Sequence, residues 1–138
     1  MNTAMNIAVS GMLAASAGLN ASASNLANLE SDGPVPATSP QQPVAQAPGG
    51  VYQPVALTQT AQPGGGVTAS VTPSLPSYAL AYDPSAPFAN MQGMVAAPNV
   101  DPAQEMVNQI TASLAYRANV AIFKTAQQME KTLLDATA

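Results

Sequence analysis

The chain has 138 residues, of which only 7% are charged, with a net charge of −4 and no histidine, cysteine or tryptophan. A typical soluble domain carries about 25% charged residues. The missing residue types exclude imidazole chemistry, thiolate metal sites and disulfides. The three basic residues, Arg117, Lys124 and Lys131, all lie near the C-terminus, so neither a nucleic-acid footprint nor a polybasic membrane patch is expected.

The N-terminal stretch MNTAMNIAVSGMLAASA has no basic segment, and Asn6, Ser10 and Gly11 interrupt its apolar run. It matches a cleaved secretory signal poorly. No stretch is long and apolar enough for a transmembrane helix. Residues 3–29 read as a helix instead. Met5, Met12, Leu19 and Leu26 recur every seven residues, and Ala8, Ala15 and Leu29 follow members of that row by three. Such a seam suggests a coiled coil. The flanks are Ala, Ser and Asn rather than Glu and Lys, which implies close packing on several sides. Gly11 and Gly18 each cost about 1 kcal/mol relative to alanine in a helix interior, so neighbours must stabilise this helix.

Glu30-Ser31-Asp32-Gly33-Pro34 ends the helix, and residues 33–66 read as a Pro/Gly/Gln-rich linker with a possible edge strand. That strand candidate is Val51 to Thr58, interrupted by Pro54. Val67, Ala69 and Val71 alternate with polar residues after Gly64-Gly65-Gly66, which predicts a short strand. Tyr78 to Tyr82 is a third candidate, stopped by Asp83-Pro84. No Gly-Lys-Ser/Thr follows the triple glycine, so it is read as a turn and not a phosphate loop. The composition predicts two to four short strands in a small irregular lobe.

The last third, residues 102–136, is the longest uninterrupted element. Asp101 can cap it, Pro102 suits its first position, and Gln104 stands three residues after the cap. At 1.5 Å per residue such a helix runs roughly 50 Å, too long for a small domain to bury alone. One seam runs Ala112, Ala115, Asn119, Ile122, Ala126, Met129, Leu133 and Ala136. Val107, Ile110 and Leu114 form a second patch, and Tyr116, Val120 and Phe123 lie on another side. The apolar surface is wider than one partner requires. Arg117, Lys124 and Lys131 form a narrow basic row, to be read as a solvated ridge or as a contact with a neighbour's acids, such as Glu30, Asp32 or Asp83.

Catalysis finds little support. The seven carboxylates are scattered, no Ser-x-x-Lys occurs, and the serines concentrate in a helix that reads as structural. Neither enzymatic activity nor a cofactor or metal is expected. Asn20-Ala21-Ser22 matches a glycosylation sequon but falls on a helix.

Residues 10–33, SGMLAASAGLNASASNLANLESDG, resemble the signature of flagellar axial proteins through Ser10, Gly11, Leu19, Asn20, Asn25, Ala27 and Asn28. Tyr82-Asp83-Pro84, Gly93, Pro98-Asn99-Val100-Asp101, Glu105-Met106-Val107 and AYRANVAIFKTA from Ala115 to Ala126 are similar to the flagellar basal-body rod family, in particular its proximal rod proteins. The resemblance covers both ends and part of the middle, roughly two thirds of the chain.

The resemblance implies a mainly α fold with long N- and C-terminal helices paired as an antiparallel coiled coil. A linker and a small β lobe separate them, with segments at 1–32, 33–66, 67–100 and 101–138. It implies a structural subunit that polymerises through its terminal helices into the rod that transmits torque for motility. Its partners would be itself, other rod proteins, the rod-to-ring adaptor and the membrane ring protein. The flagellar type III apparatus would export it, without a cleaved signal, to the periplasmic rod. The assembly surface so expected comprises Met5, Met12, Leu19, Asn25, Leu26 and Asn28 on the first helix. On the second it comprises Val107, Ile110, Leu114, Tyr116, Asn119, Val120, Ile122, Phe123, Met129 and Leu133. The competing reading is a secreted proline-rich binding module, or a self-associating helical hairpin unrelated to flagella.

Overall fold

The structure, a computed structural model, describes residues 2–44 and 49–137; residues 45–48 of the expected linker lie outside the described residues. Two long helices flank two β hairpins in the order α1 (Asn2–Ala27), β1 (Val55–Ala61), β2 (Val67–Pro73), β3 (Tyr78–Tyr82), β4 (Met94–Pro98) and α2 (Pro102–Thr137). The fold is mainly α with a small β region between terminal helices, as the sequence led us to expect.

The start of α2 follows directly from its residues. The Asp101 carboxylate accepts the backbone N–H groups of Ala103 at 2.9 Å and Gln104 at 3.3 Å, satisfying donors that have no partner inside the helix. The reciprocal half of a capping box is not made, because the Gln104 amide donates to Asn108 at 3.1 Å instead. At the end of α1 the Asn28 amide donates to the Ser24 carbonyl at 2.9 Å, closing the last turn.

The helices lie side by side and antiparallel. A Cβ built on Gly11 would meet Asn119, one on Gly18 would meet Ala112, and Asn25 hydrogen-bonds Glu105. Each step of seven along α1 is thus matched by a step of seven back along α2.

The four strands form two separate two-stranded antiparallel sheets. In the first, β1 runs from Val55, opposite Pro73, to Ala61, opposite Val67. Pro54, which has no N–H to donate, stands just before the first paired residue. The turn uses Gly64, Gly65 and Gly66, all with φ between 91° and 98°, a region L side chains avoid. The boundary expected at 66/67 falls at the end of this turn, inside one hairpin. This hairpin packs on α1.

The second hairpin pairs Tyr78–Tyr82 with Met94–Pro98. Its β4 strand was not foreseen. Ala96 also exchanges two backbone hydrogen bonds with Gly33, each 2.9 Å, on its other edge. Val51, Tyr78 and Ala96 form a small core, against which Val35 and Val44 of the linker pack. The linker is pinned there by the Ser77 hydroxyl, whose one proton is shared between the Pro40 and Gln42 carbonyls, and by the Tyr78 hydroxyl, which donates to the Thr38 carbonyl.

Candidate assembly surface

The contact between α1 and α2 is built from small residues. Ala8, Ala15, Gly18, Ser22 and Asn25 are buried on α1, with Gly11 half-buried among them. Their steps alternate between three and four residues, as in a heptad seam. On α2 the covered row is Glu105, Gln109, Ala112, Asn119, Phe123 and Ala126. Close approach is enforced at Gly11, where an added Cβ would come within 2.6 Å of the Asn119 side chain. Glycine here leaves room for the Asn119 amide to lie against α1.

Asn25 ties three elements together. Its side chain is 2% exposed. Its Oδ1 accepts the Val55 N–H at 2.9 Å, and its Nδ2 donates to the Val55 carbonyl at 2.8 Å. The same amide donates to the Glu105 carboxylate at 2.7 Å and accepts the Tyr52 hydroxyl at 3.1 Å. Because the Tyr52 proton is committed to Asn25, the Ser24 hydroxyl at 2.9 Å is the donor to Tyr52. Two donors and two acceptor sites exhaust what an asparagine amide can offer. Asn25 therefore joins α1 to the first hairpin and to α2 within the chain.

The other expected site residues divide. Met5, Met12, Leu19 and Leu26 are half-buried beside the small-residue seam, one position off it. Asn119 is in the seam, and Val120 and Phe123 are half-buried. Val107, Ile110 and Leu114 are 55%, 61% and 60% exposed, on the side of α2 away from α1. Tyr116, Ile122, Met129 and Leu133 are also exposed. Three of the eight residues of the seam read on α2 therefore lie inward (Ala112, Asn119, Ala126), while Ala115, Ile122, Met129, Leu133 and Ala136 are exposed. Gly18, Tyr52, Val55 and Glu105 were missed. The seven-residue spacing of Gly11, Gly18 and Asn25 was the available signal.

A groove of about 830 Å³ runs between the first hairpin and α2, floored by Gly11, Ala15, Gly18 and Ser22. No group of three or more potential metal-ligating side chains occurs among the described residues, and none of their helices is long and apolar enough to cross a membrane.

Residues 91–136 match the family model described as flagellar basal body rod FlgEFG protein C-terminal. The chain is 41% identical over 127 residues to the flagellar basal-body rod protein FlgC of Buchnera aphidicola subsp. Acyrthosiphon pisum, covering 90% of this chain and 88% of that one. It is 40% identical over 124 residues to FlgC of Salmonella typhimurium, covering 90% and 88%. Against FlgC of Aquifex aeolicus the identity is 33% over 136 residues, covering 96% and 94%. On this likeness across nearly its whole length, the chain belongs to the FlgC family of flagellar basal-body rod proteins.

Proposed function

We propose that this protein is a structural subunit of the proximal rod of the bacterial flagellum. It polymerises through its terminal helices into the drive shaft that carries torque from the motor to the hook. The observation that carries this reading is the unequal covering of α2. Its own α1 covers one face, while Val107, Ile110 and Leu114 stay more than half exposed on the opposite face. Such a strip is expensive to leave in water, at about 25 cal/mol per Å² of apolar area, and neighbouring subunits are its natural cover. The role is mechanical rather than catalytic.

In the assembled rod the two helices form an antiparallel coiled coil, with Met5, Met12, Leu19 and Leu26 on its flank. The neighbours are further copies, other rod proteins, the rod-to-ring adaptor and the membrane ring protein. The chain reaches the periplasmic rod through the flagellar type III apparatus, without cleavage. Membership of a rod-protein family leaves the alternative of a proline-rich binding module without support.

Deleting residues 112–138 is expected to abolish rods and motility. Because that deletion also removes half of the helix pair, Ile110→Asp with Leu114→Asp is the sharper test. These positions lie away from α1, so helix content should persist in circular dichroism while rod assembly fails. Normal motility in both strains would overturn the reading.

A further inference from the structure

The first hairpin leaves one backbone edge open. Gln62 donates to the Gly66 carbonyl at 3.1 Å, and Ser74 donates to the Pro54 carbonyl at 2.8 Å. In an antiparallel pair, residues that bond across the ladder alternate with residues that do not. Ala56, Thr58 and Thr60 therefore turn their backbone groups towards β2, while Val55, Leu57 and Gln59 turn theirs away from it. Val55 agrees with this parity, because both of its backbone groups are taken by the Asn25 side chain, outside the sheet. The next two positions on that edge, Leu57 and Gln59, have no such partner among the described residues.

This edge opens on the groove between β1 and α2. Val55, Leu57 and Gln59 line one wall, and Asn108, Thr111 and Ala115 line the other, above the floor of Gly11, Gly18 and Ser22. No Cα of β1 comes within 8 Å of one in α2. The gap is wider than the roughly 4.8 Å between neighbouring strands, and the small residues of the floor leave room for a backbone. Glu105, bonded to Asn25, marks the Val55 end of the groove, with Asp101 one turn before it. Among the described residues no Lys or Arg lines the groove, so the charge of these two carboxylates is not met there by a cation.

We propose that this edge takes an extended segment of a different protein as a third strand, antiparallel to β1, with a Lys or Arg near its C-terminal end beside Glu105. Backbone donors and acceptors repeating every second residue require an extended peptide and not a helix. Asn25 occupies the first place on the edge and makes the two bonds to Val55 that a strand would make. The added strand continues the pattern at Leu57 and Gln59. Antiparallel pairing gives the better-aligned bonds, and it brings the C-terminal end of the segment to the Val55 end, where the carboxylates stand. A second copy does not fit this description. Its cations, Arg117, Lys124 and Lys131, all lie in α2, and no extended segment of the chain carries one. The site is separate from the face of Val107, Ile110 and Leu114 that carries the rod reading, since none of these residues lines the groove.

Amide exchange of the full chain, read by NMR, tests this with the acetylated peptide Thr-Val-Thr-Val-Thr-Lys as probe. In the free chain the Leu57 and Gln59 amides should exchange about tenfold faster than those of Ala56 and Thr58, which bond across the ladder. Millimolar peptide should slow Leu57 and Gln59 about threefold and leave Ala56 and Thr58 unchanged. Gln59→Pro removes an edge donor but no ladder bond, so it should keep the hairpin and weaken the peptide about fivefold. Glu105→Gln keeps an acceptor for Asn25 and loses the charge. It should weaken the peptide about threefold and erase its advantage over Thr-Val-Thr-Val-Thr-Gln. No slowing at Leu57 and Gln59, or equal binding to the Gln59→Pro variant, overturns the third strand. Equal binding of the two peptides to the unaltered chain overturns the basic partner. Protection of Leu57 and Gln59 that grows with protein concentration in the absence of peptide makes a second copy the occupant, and overturns the assignment to a different protein. The rod reading stands or falls separately, on motility of the strains named above.

Discussion

The side-chain amide of Asn25 pairs with both backbone groups of Val55, accepting its N–H at 2.9 Å and donating to its carbonyl at 2.8 Å. A helix residue thus does what a neighbouring strand would do, at the first residue of β1. Replacing Asn25 by alanine would leave the Val55 N–H, the Val55 carbonyl and one Glu105 oxygen without this partner. Each buried group left unsatisfied costs about 1–3 kcal/mol, partly relieved by entering water. Asn25→Ala is expected to destabilise the chain by about 2–4 kcal/mol in urea unfolding followed by circular dichroism. Asn25→Asp should be no better, since it loses both donors and sets a second carboxylate beside Glu105. A loss below about 0.5 kcal/mol, the level of an ordinary surface change, would mean that the hairpin is held elsewhere.

The contrast between this junction and the rest shows what could be read from the sequence. The start of α2 was legible because Asp101 and Pro102 act locally. The row Ala112, Asn119 and Ala126 was legible because a helix repeats its face every seven residues. On α1 the seam was read on Met5, Met12, Leu19 and Leu26 together with Ala8 and Ala15; the two alanines lie on the contact, and the four large residues lie one position from it. A hydrophobic pattern draws attention to large side chains, whereas these helices also approach through Gly11, Gly18 and Ser22. One residue on a helix is about 100° of rotation, so the two rows are adjacent and easily exchanged. The partners of Asn25 lie 30 and 80 residues away in sequence, beyond any local pattern. The strand Met94–Pro98 likewise has few β-branched residues and is defined by its pairing with β3 and Gly33.

Gly11 and Asn119 should be energetically coupled. A Cβ at position 11 would meet the Asn119 amide at 2.6–2.7 Å, so the amide must move and give up its 2.8 Å hydrogen bond to the Ala115 carbonyl. Against this stands a gain of about 1 kcal/mol in helix propensity from Gly to Ala. The two effects nearly offset, so Gly11→Ala alone should change stability by less than about 1 kcal/mol. In an Asn119→Ala background the clash is gone, and the same change should stabilise by about 1 kcal/mol. A double-mutant cycle would measure this coupling as at least about 0.5 kcal/mol; equal effects in both backgrounds would rule the contact out.

Gly33 admits no such adjustment. Its added Cβ would run into the backbone of Gly50 and Val51, while its own backbone holds Ala96 through two hydrogen bonds. Backbone on both sides cannot move aside as a side-chain amide can. Gly33→Ala is expected to destabilise the chain by about 1–3 kcal/mol, the usual range for overpacking. Amide exchange should speed up at Gly33 and Ala96 before it does along α1. Uniform loss of protection through the whole chain would instead mean that the bridge and the helices unfold as one unit.

Asp83 supplies a pH-dependent reporter for the β3–β4 connection. Its carboxylate accepts the Ser85 hydroxyl at 2.6 Å and the Ser85 N–H at 3.0 Å. These bonds favour the charged form and hold its pKa below the ordinary aspartate value, the Ser85 hydroxyl being the largest cause. The folded-state pKa is depressed, so the contribution to stability is fully present above the unfolded pKa. It is lost as pH falls through the folded value, when the proton occupies the acceptor. Titration of the Asp83 carboxyl by NMR should therefore give a midpoint below that of an unstructured aspartate. Ser85→Ala should raise it towards that ordinary value while the backbone N–H keeps part of the shift. An unchanged midpoint in the Ser85→Ala variant would show that the hydroxyl is not what holds the carboxylate charged.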